Sequence, residues 1–142
     1  MDIGNVSNKV AIYNGTVNAN FSGSDTSWTF SSDARDKTDI VNLDLGLDFI
    51  KEIQPRKFAW KYRKNNKHTR AADGVVKAGF IAQELQSVLS DYNASYTGIV
   101  NEDVPENLTV GQADMIPMMI NAIKELSAKN DALEARLAAL ES

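Results

Sequence analysis

Ile116-Pro117-Met118-Met119-Ile120-Asn121-Ala122-Ile123-Lys124-Glu125-Leu126 opens the most regular stretch of the chain, which runs on to Leu140. Ile116, Met119, Ile123, Leu126, Asn130, Leu133, Leu137 and Leu140 are spaced alternately by three and four residues, the heptad pattern that keeps one apolar seam along a helix. With 116, 123, 130 and 137 as a and 119, 126, 133 and 140 as d, the spacing predicts a C-terminal coiled-coil helix over 113–142. Lys129 and Arg136 fall at g, and Glu134 and Glu141 at e five residues further on, so a parallel neighbour brings opposite charges together. Asn130 at an a position fits a buried polar residue that fixes register at a cost in stability. Asp114 is a candidate cap, and Pro117 is tolerated in the first turn. The plainer alternative is a helix folded back on its own domain, but the length of the seam favours self-association. Asn at a favours dimers whereas mixed Ile and Leu is permissive, so the helix alone does not set the number of strands.

Upstream of this helix the pattern is mixed. Leu43, Leu47, Ile50 and Ile53 trace one helical face, with Asn42 or Asp44 available as cap and Pro55 as the stop. In 56–63, Phe58, Trp60 and Tyr62 alternate with Ala59, Lys61 and Arg63, which predicts a strand with an aromatic inner face and a basic outer one. The polar run 64–74 reads as an exposed hairpin loop, and 75–82 as the returning strand, with Gly79 admitting a large ring or another backbone. Residues 83–89 read as a short helix packing Leu85, Val88 and Leu89, and 96–100 and 108–110 as two short strands. The region 32–112 is therefore expected to be a small α+β domain with a β-hairpin protrusion.

Residues 1–31 differ in character. Short apolar patches alternate with turn formers, and Asn14-Gly15 between two alternating runs is a hairpin signal, because a tight turn there needs positive φ. This lead has too few large apolar residues to fold alone, so it is expected to belong to something larger or to pair with its copies.

At 142 residues and 43% hydrophobic, the chain supports one compact domain with an appendage. The absence of Cys removes disulfides and thiolate metal sites, and His68 alone cannot build a histidine zinc site, so neither a metal nor a cofactor is expected. A net charge of -4 argues against a nucleic-acid-binding chain overall. The apolar runs fall far short of a membrane span, and Met1-Asp2-Ile3 does not start a signal peptide, so a soluble protein is expected.

Between the two regions lies Ser31-Ser32-Asp33-Ala34-Arg35-Asp36-Lys37. A hydroxyl needs a base before it can attack a carbonyl, and the candidate base nearest in sequence is Lys37. Lys37 must be neutral to take a proton, which requires burial or a nearby cation, and Arg35 is the nearest candidate cation. Residues five apart lie on different sides of a helix and on opposite faces of a strand. Bringing Ser32 and Lys37 together therefore needs a turn, a helix N-terminus with Ser32 just outside it, or a Lys37 from a neighbouring subunit. Asp33 could cap such a helix or hold Arg35. The bland reading of the stretch is a capped, solvated first turn.

Three segments together resemble a known family: Ser32-Asp33-Ala34-Arg35-Asp36-Lys37-Thr38-Asp39-Ile40, then Gly79-Phe80-Ile81-Ala82-Gln83-Glu84-Leu85, then Ile116-Pro117 leading to Ala122-Ile123-Lys124-Glu125-Leu126. In this order, over roughly 31–142, they resemble the C-terminal intramolecular chaperone of the endosialidase type, found at the ends of phage tail fibres, tailspikes and neck appendages. Ser-Asp-x-Arg-x-Lys is the specific element. The resemblance implies a homotrimer that folds an upstream fibre segment of the same chain and then releases itself by autoproteolysis between Ser31 and Ser32. It implies Ser32 as nucleophile and Lys37 as general base, a single-turnover serine peptidase. It further implies action in the host cytoplasm during virion assembly, with the upstream part going to the virion and the chaperone released. A Ser attacking the carbonyl before its own nitrogen is an N-to-O acyl shift or its directly hydrolytic equivalent, and no substrate pocket is required.

Two other readings compete. A non-cleaving parallel coiled-coil assembly module explains the helix without the chemistry. The cluster Arg56, Lys57, Lys61, Arg63, Lys64, Lys67 and Arg70 among Phe58, Trp60 and Tyr62 could stack bases and hold phosphates, although alternation separates rings from cations and nucleic acid is not the expected partner.

Overall fold

The computed structural model describes residues 2–5, 9–13, 18–22, 29–30, 32–63 and 74–141. The chain divides into two compact units, Met1–Asn42 and Leu43–Ser142. Together they are α+β, with a long C-terminal helix.

The first unit is an antiparallel meander of β1 (Asp2–Asn5), β2 (Lys9–Tyr13), β3 (Asn18–Ser22) and β4 (Thr29–Phe30), in that spatial order. Tyr13 pairs with Asn18, so the strands flanking Asn14-Gly15 do pair antiparallel as the hairpin signal predicts; the connecting residues 14–17 lie outside the described residues. A 3-10 turn, Ala34–Asp36, follows.

In the second unit, α1 (Leu47–Glu52) starts later than its pattern predicts. Neither Asn42 nor Asp44 caps it; Gly46 stands at the cap and offers no side chain. The cause is the C-terminal helix. Asn121 Nδ2 donates to the Leu43 and Leu45 carbonyls at 3.0 and 3.2 Å, holding 43–45 out of the helix, and the Glu125 carboxylate accepts the Leu47 N–H at 3.1 Å. A Cβ at position 46 would overlap the Glu125 carboxylate, so glycine is needed for this approach. The helix ends before Ile53, ahead of Pro55 as expected.

The aromatic strand is shorter than its alternation suggests. β5 (Arg56–Ala59) pairs antiparallel with β6 (Val76–Gly79) and stops, while Arg63 donates to the Glu106 carbonyl at 2.9 Å and draws 60–63 onto another loop. Phe58 and Trp60 share a face, edge to face at 5.4 Å, yet only Phe58 is half-buried; Trp60 and Tyr62 are exposed. Alternation tells which side the rings occupy, not whether a second layer covers them. Gly79 behaves as expected: a Cβ there would stand 3.3 Å from the Phe58 ring. The loop expected over 64–74 lies, up to residue 73, outside the described residues.

Next, α2 (Ala82–Asp91) buries Ala82, Leu85 and Leu89, and a short ladder joins β7 (Val100–Asn101) to β8 (Thr109–Val110). A 3-10 turn, Gln112–Met115, leads into α3 (Ile116–Glu141); Asp114 sits inside that turn rather than capping the helix. The core gathers Leu45, Phe49, Leu85, Leu89, Ala94, Ile99, Met115 and Met118. Phe49 and Ile99 are fully buried, and Tyr92 closes edge to face on Phe49 at 5.3 Å. Burial of such side chains contributes roughly 1.5–3 kcal/mol each.

Candidate functional site

The turn at 32–37 is built by its own acid. Asp33 is extended and its Oδ1 accepts the Arg35 N–H at 2.9 Å, satisfying a donor of the first turn as an N-cap does. Asp36 N–H donates to the Asp33 carbonyl and Lys37 N–H to the Ala34 carbonyl, both at 3.2 Å. The chain then leaves in an extended conformation at Lys37, whose side chain folds back over the turn. Lys37 Nζ donates to Ser32 Oγ at 2.6 Å and reaches the Ser32 carbonyl at 3.4 Å.

One 3-10 turn with Ser32 just outside it thus closes the five-residue gap within a single chain. Asp33 takes both roles its position allows: beside capping, its carboxylate receives Arg35 Nε at 3.0 and 3.2 Å and Arg35 Nη2 at 2.6 Å. The Arg35 hydrogen bonds, with the Lys37 charge adding to them, hold the Asp33 carboxyl below the ordinary aspartate range. Asp33 in turn raises the Arg35 guanidinium. Ser32, Arg35 and Lys37 are exposed, and Asp33 is half-buried. Ser31, on the acyl side of the expected bond, lies outside the described residues.

The heptad positions form a second surface. Ile116, Met119, Ile123, Leu126, Leu133, Leu137 and Leu140 are 48–84% exposed, and Asn130 Nδ2 donates to Glu134 Oε1 at 2.8 Å along the helix. The plainer alternative, a helix packed back on its domain, holds for the first part of the helix and uses another face: Met118 and Ala122 are buried, and Asn121 and Glu125 hold 43–47. Sequence reasoning overlooked this face, although Met118 and Ala122, like Asn121 and Glu125, stand one helical turn apart.

Two further residues acquire roles. Glu84 receives Arg56 in a two-pronged ion pair, both contacts 2.8 Å, tying the start of β5 to the first turn of α2. Arg56 holds the Glu84 carboxyl below its ordinary range. Of the basic cluster, Arg56 and Arg63 are therefore engaged within the fold, and Lys64, Lys67 and Arg70 lie outside the described residues. Among the described residues no group of His, Cys, Asp and Glu is placed to hold a metal ion, and no helix is long and apolar enough to cross a membrane.

Fold and site define an α+β module that carries a serine–lysine contact on a surface turn and a long helix with a bare apolar stripe. Residues 32–93, somewhat less than half of the chain, match the family model of peptidase S74, the chaperone of endosialidase. The match opens at Ser32 and takes in the turn, the β5–β6 ribbon and α2; the helical segment of the resemblance, 116–126, lies beyond it. Comparisons with curated proteins and with solved structures find no match.

Proposed function

We propose that the chain is an intramolecular chaperone that trimerises through α3, folds the β-rich segment preceding Ser32 as the end of a phage fibre or tailspike, and then cuts itself free between Ser31 and Ser32. The observation that carries this reading is the 2.6 Å contact of Lys37 Nζ with Ser32 Oγ, at the residue where the family match begins.

With Lys37 as the free amine, the contact reverses and the Ser32 hydroxyl donates to Nζ. Ser32 Oγ attacks the Ser31 carbonyl carbon while its proton passes to Lys37, and the bond from that carbon to the Ser32 nitrogen breaks as the nitrogen takes the proton back. The resulting ester is hydrolysed by water, leaving a Ser31 carboxylate and a chain starting at Ser32 with its hydroxyl restored. Attack on an adjacent carbonyl is intramolecular and needs no substrate pocket, consistent with an exposed turn.

A lysine serves as a base only when its ammonium is withdrawn from water, and the pair is exposed in the single chain. Assembly supplies the missing cover, which links cleavage to a completed trimer. The exposed stripe of α3 supports the assembly, and the g-to-e pairs Lys129 with Glu134 and Arg136 with Glu141 support its parallel sense. The setting is the host cytoplasm during virion assembly, with the upstream segment retained in the virion.

Mass spectrometry of freshly made protein tests the reading: a fragment starting at Ser32 is expected from the native chain and only intact mass from Ser32→Ala. Cleavage persisting in Ser32→Ala rules the mechanism out. The same bare stripe also favours a second reading, a parallel assembly module that never cleaves, for which the native chain stays intact.

A further inference from the structure

Asp33 caps the same short turn that Lys37 closes, and it follows Ser32 directly in the chain, so its carboxylate and the cleavage pair belong to one turn. Left to itself, such a carboxylate competes with a hydroxyl for an ammonium, because an ion pair outcompetes a neutral hydrogen bond and favours the protonated amine. In this turn it is not left to itself. Arg35 sets its guanidinium across both oxygens, with Nη2 at 2.6 Å from Oδ2 and Nε at 3.0 Å from Oδ1, while Lys37 goes to Ser32. The pair is solvent-exposed, with the Arg35 side chain 89% accessible, so its contribution to stability is small. Of the other acids that follow, Asp39 accepts the Thr38 hydroxyl at 3.1 Å.

We infer that Arg35 is a positioning residue for self-cleavage, which by occupying both oxygens of Asp33 keeps that charge off Lys37 and leaves the lysine to the Ser32 hydroxyl. The inference rests on the reading of Ser32 and Lys37 as the cleavage pair. It departs from the expectation that Arg35 acts directly on Lys37 as a neighbouring cation; its action runs through Asp33. A planar fork suits this task, since it meets a carboxylate at two points where an ammonium meets it at one.

The test follows the rate of fragment formation in the full 142-residue chain for Arg35→Ala, Arg35→Lys and the double variant Asp33→Asn with Arg35→Ala, with far-UV circular dichroism and sedimentation confirming equal folding and assembly. Arg35→Ala slows cleavage about tenfold or more, the effect of an unpaired opposite charge beside the amine. Arg35→Lys recovers part of the rate. In the double variant, Asn keeps a capping oxygen but no charge, and the rate returns to within about threefold of native. A double variant as slow as Arg35→Ala shows that Arg35 merely holds the turn and overturns the inference, as does an Arg35→Ala chain that cleaves at the native rate. A native chain that never cleaves overturns the reading of Ser32 and Lys37, and this inference with it.

Discussion

The carboxylate of Glu125, in the middle of α3, accepts the backbone N–H of Leu47 at 3.1 Å and so caps a helix 78 residues earlier in the chain. This cap replaces the local one that Asn42 or Asp44 could have supplied. Glu125→Ala should destabilise the second unit by about 1 kcal/mol, the usual cost of a lost N-cap, and Glu125→Gln, which keeps an acceptor, by less. Urea unfolding followed by circular dichroism measures both. Equal midpoints for Glu125→Ala and the native protein would show that α1 does not depend on α3.

Lysine and arginine are separated by their chemistry at position 37. Lys37→Arg keeps a cation that can donate to Ser32 but cannot give up its proton under working conditions. Self-cleavage should fall by about a hundredfold or more, the range attributed to a general base. Native-like fragment yield from Lys37→Arg would mean that the residue only anchors the turn.

The two faces of α3 should respond oppositely to substitution. Leu126 and Leu133 are more than half exposed, so Leu126→Glu with Leu133→Glu should leave the fold of each chain intact and abolish assembly, read as monomer mass in sedimentation equilibrium. Met118 is buried, and Met118→Ala should cost about 3 kcal/mol of unfolding free energy whatever the state of assembly. Assembly surviving both glutamates would remove the stripe as the interface.

Acid should loosen the clamp between β5 and α2. Arg56 lowers the Glu84 carboxyl from its ordinary value, so the ionised pair favours the folded state at neutral pH and its contribution is lost as pH falls through the folded value. The denaturation midpoint of Glu84→Gln should therefore lie below native at pH 7 and converge with it in acid, once pH has fallen through the folded value of Glu84. Midpoints that stay apart in acid would assign the difference to packing instead.

Much of this arrangement was legible in the residues themselves. Heptad spacing marks α3 within a few residues, Pro55 marks the end of α1, and Gly79 marks the place where the Phe58 ring closes on β6. Residues five apart meet on neither a regular helix nor a strand, which left a turn, a helix N-terminus or a second subunit to join Ser32 and Lys37; within the chain a 3-10 turn does so. What escaped reading was long-range. Residues 43–45 carry a helical pattern but give their carbonyls to Asn121, and nothing local shows that a side chain far along the chain will claim them. The ribbon of Phe58, Trp60 and Tyr62 carries a periodicity that fixes sides, whereas burial depends on what lies above them. Ser32 was singled out by its motif, since a hydroxyl and an amine on a surface turn have no periodic signature.

The angular offset between the two faces of α3 has a consequence for shape. At 3.6 residues per turn, the face bearing Met118 and Ala122 lies about a third of a turn from the stripe of Ile116, Met119, Ile123 and Leu126. The globular part of the second unit therefore overhangs one flank of the stripe rather than standing behind it. In the proposed assembly, if it closes as a ring on that stripe, every body would lean the same way round the axis, towards the unlike flank of the next chain. Such a ring would have a sense of rotation, like the blades of a turbine.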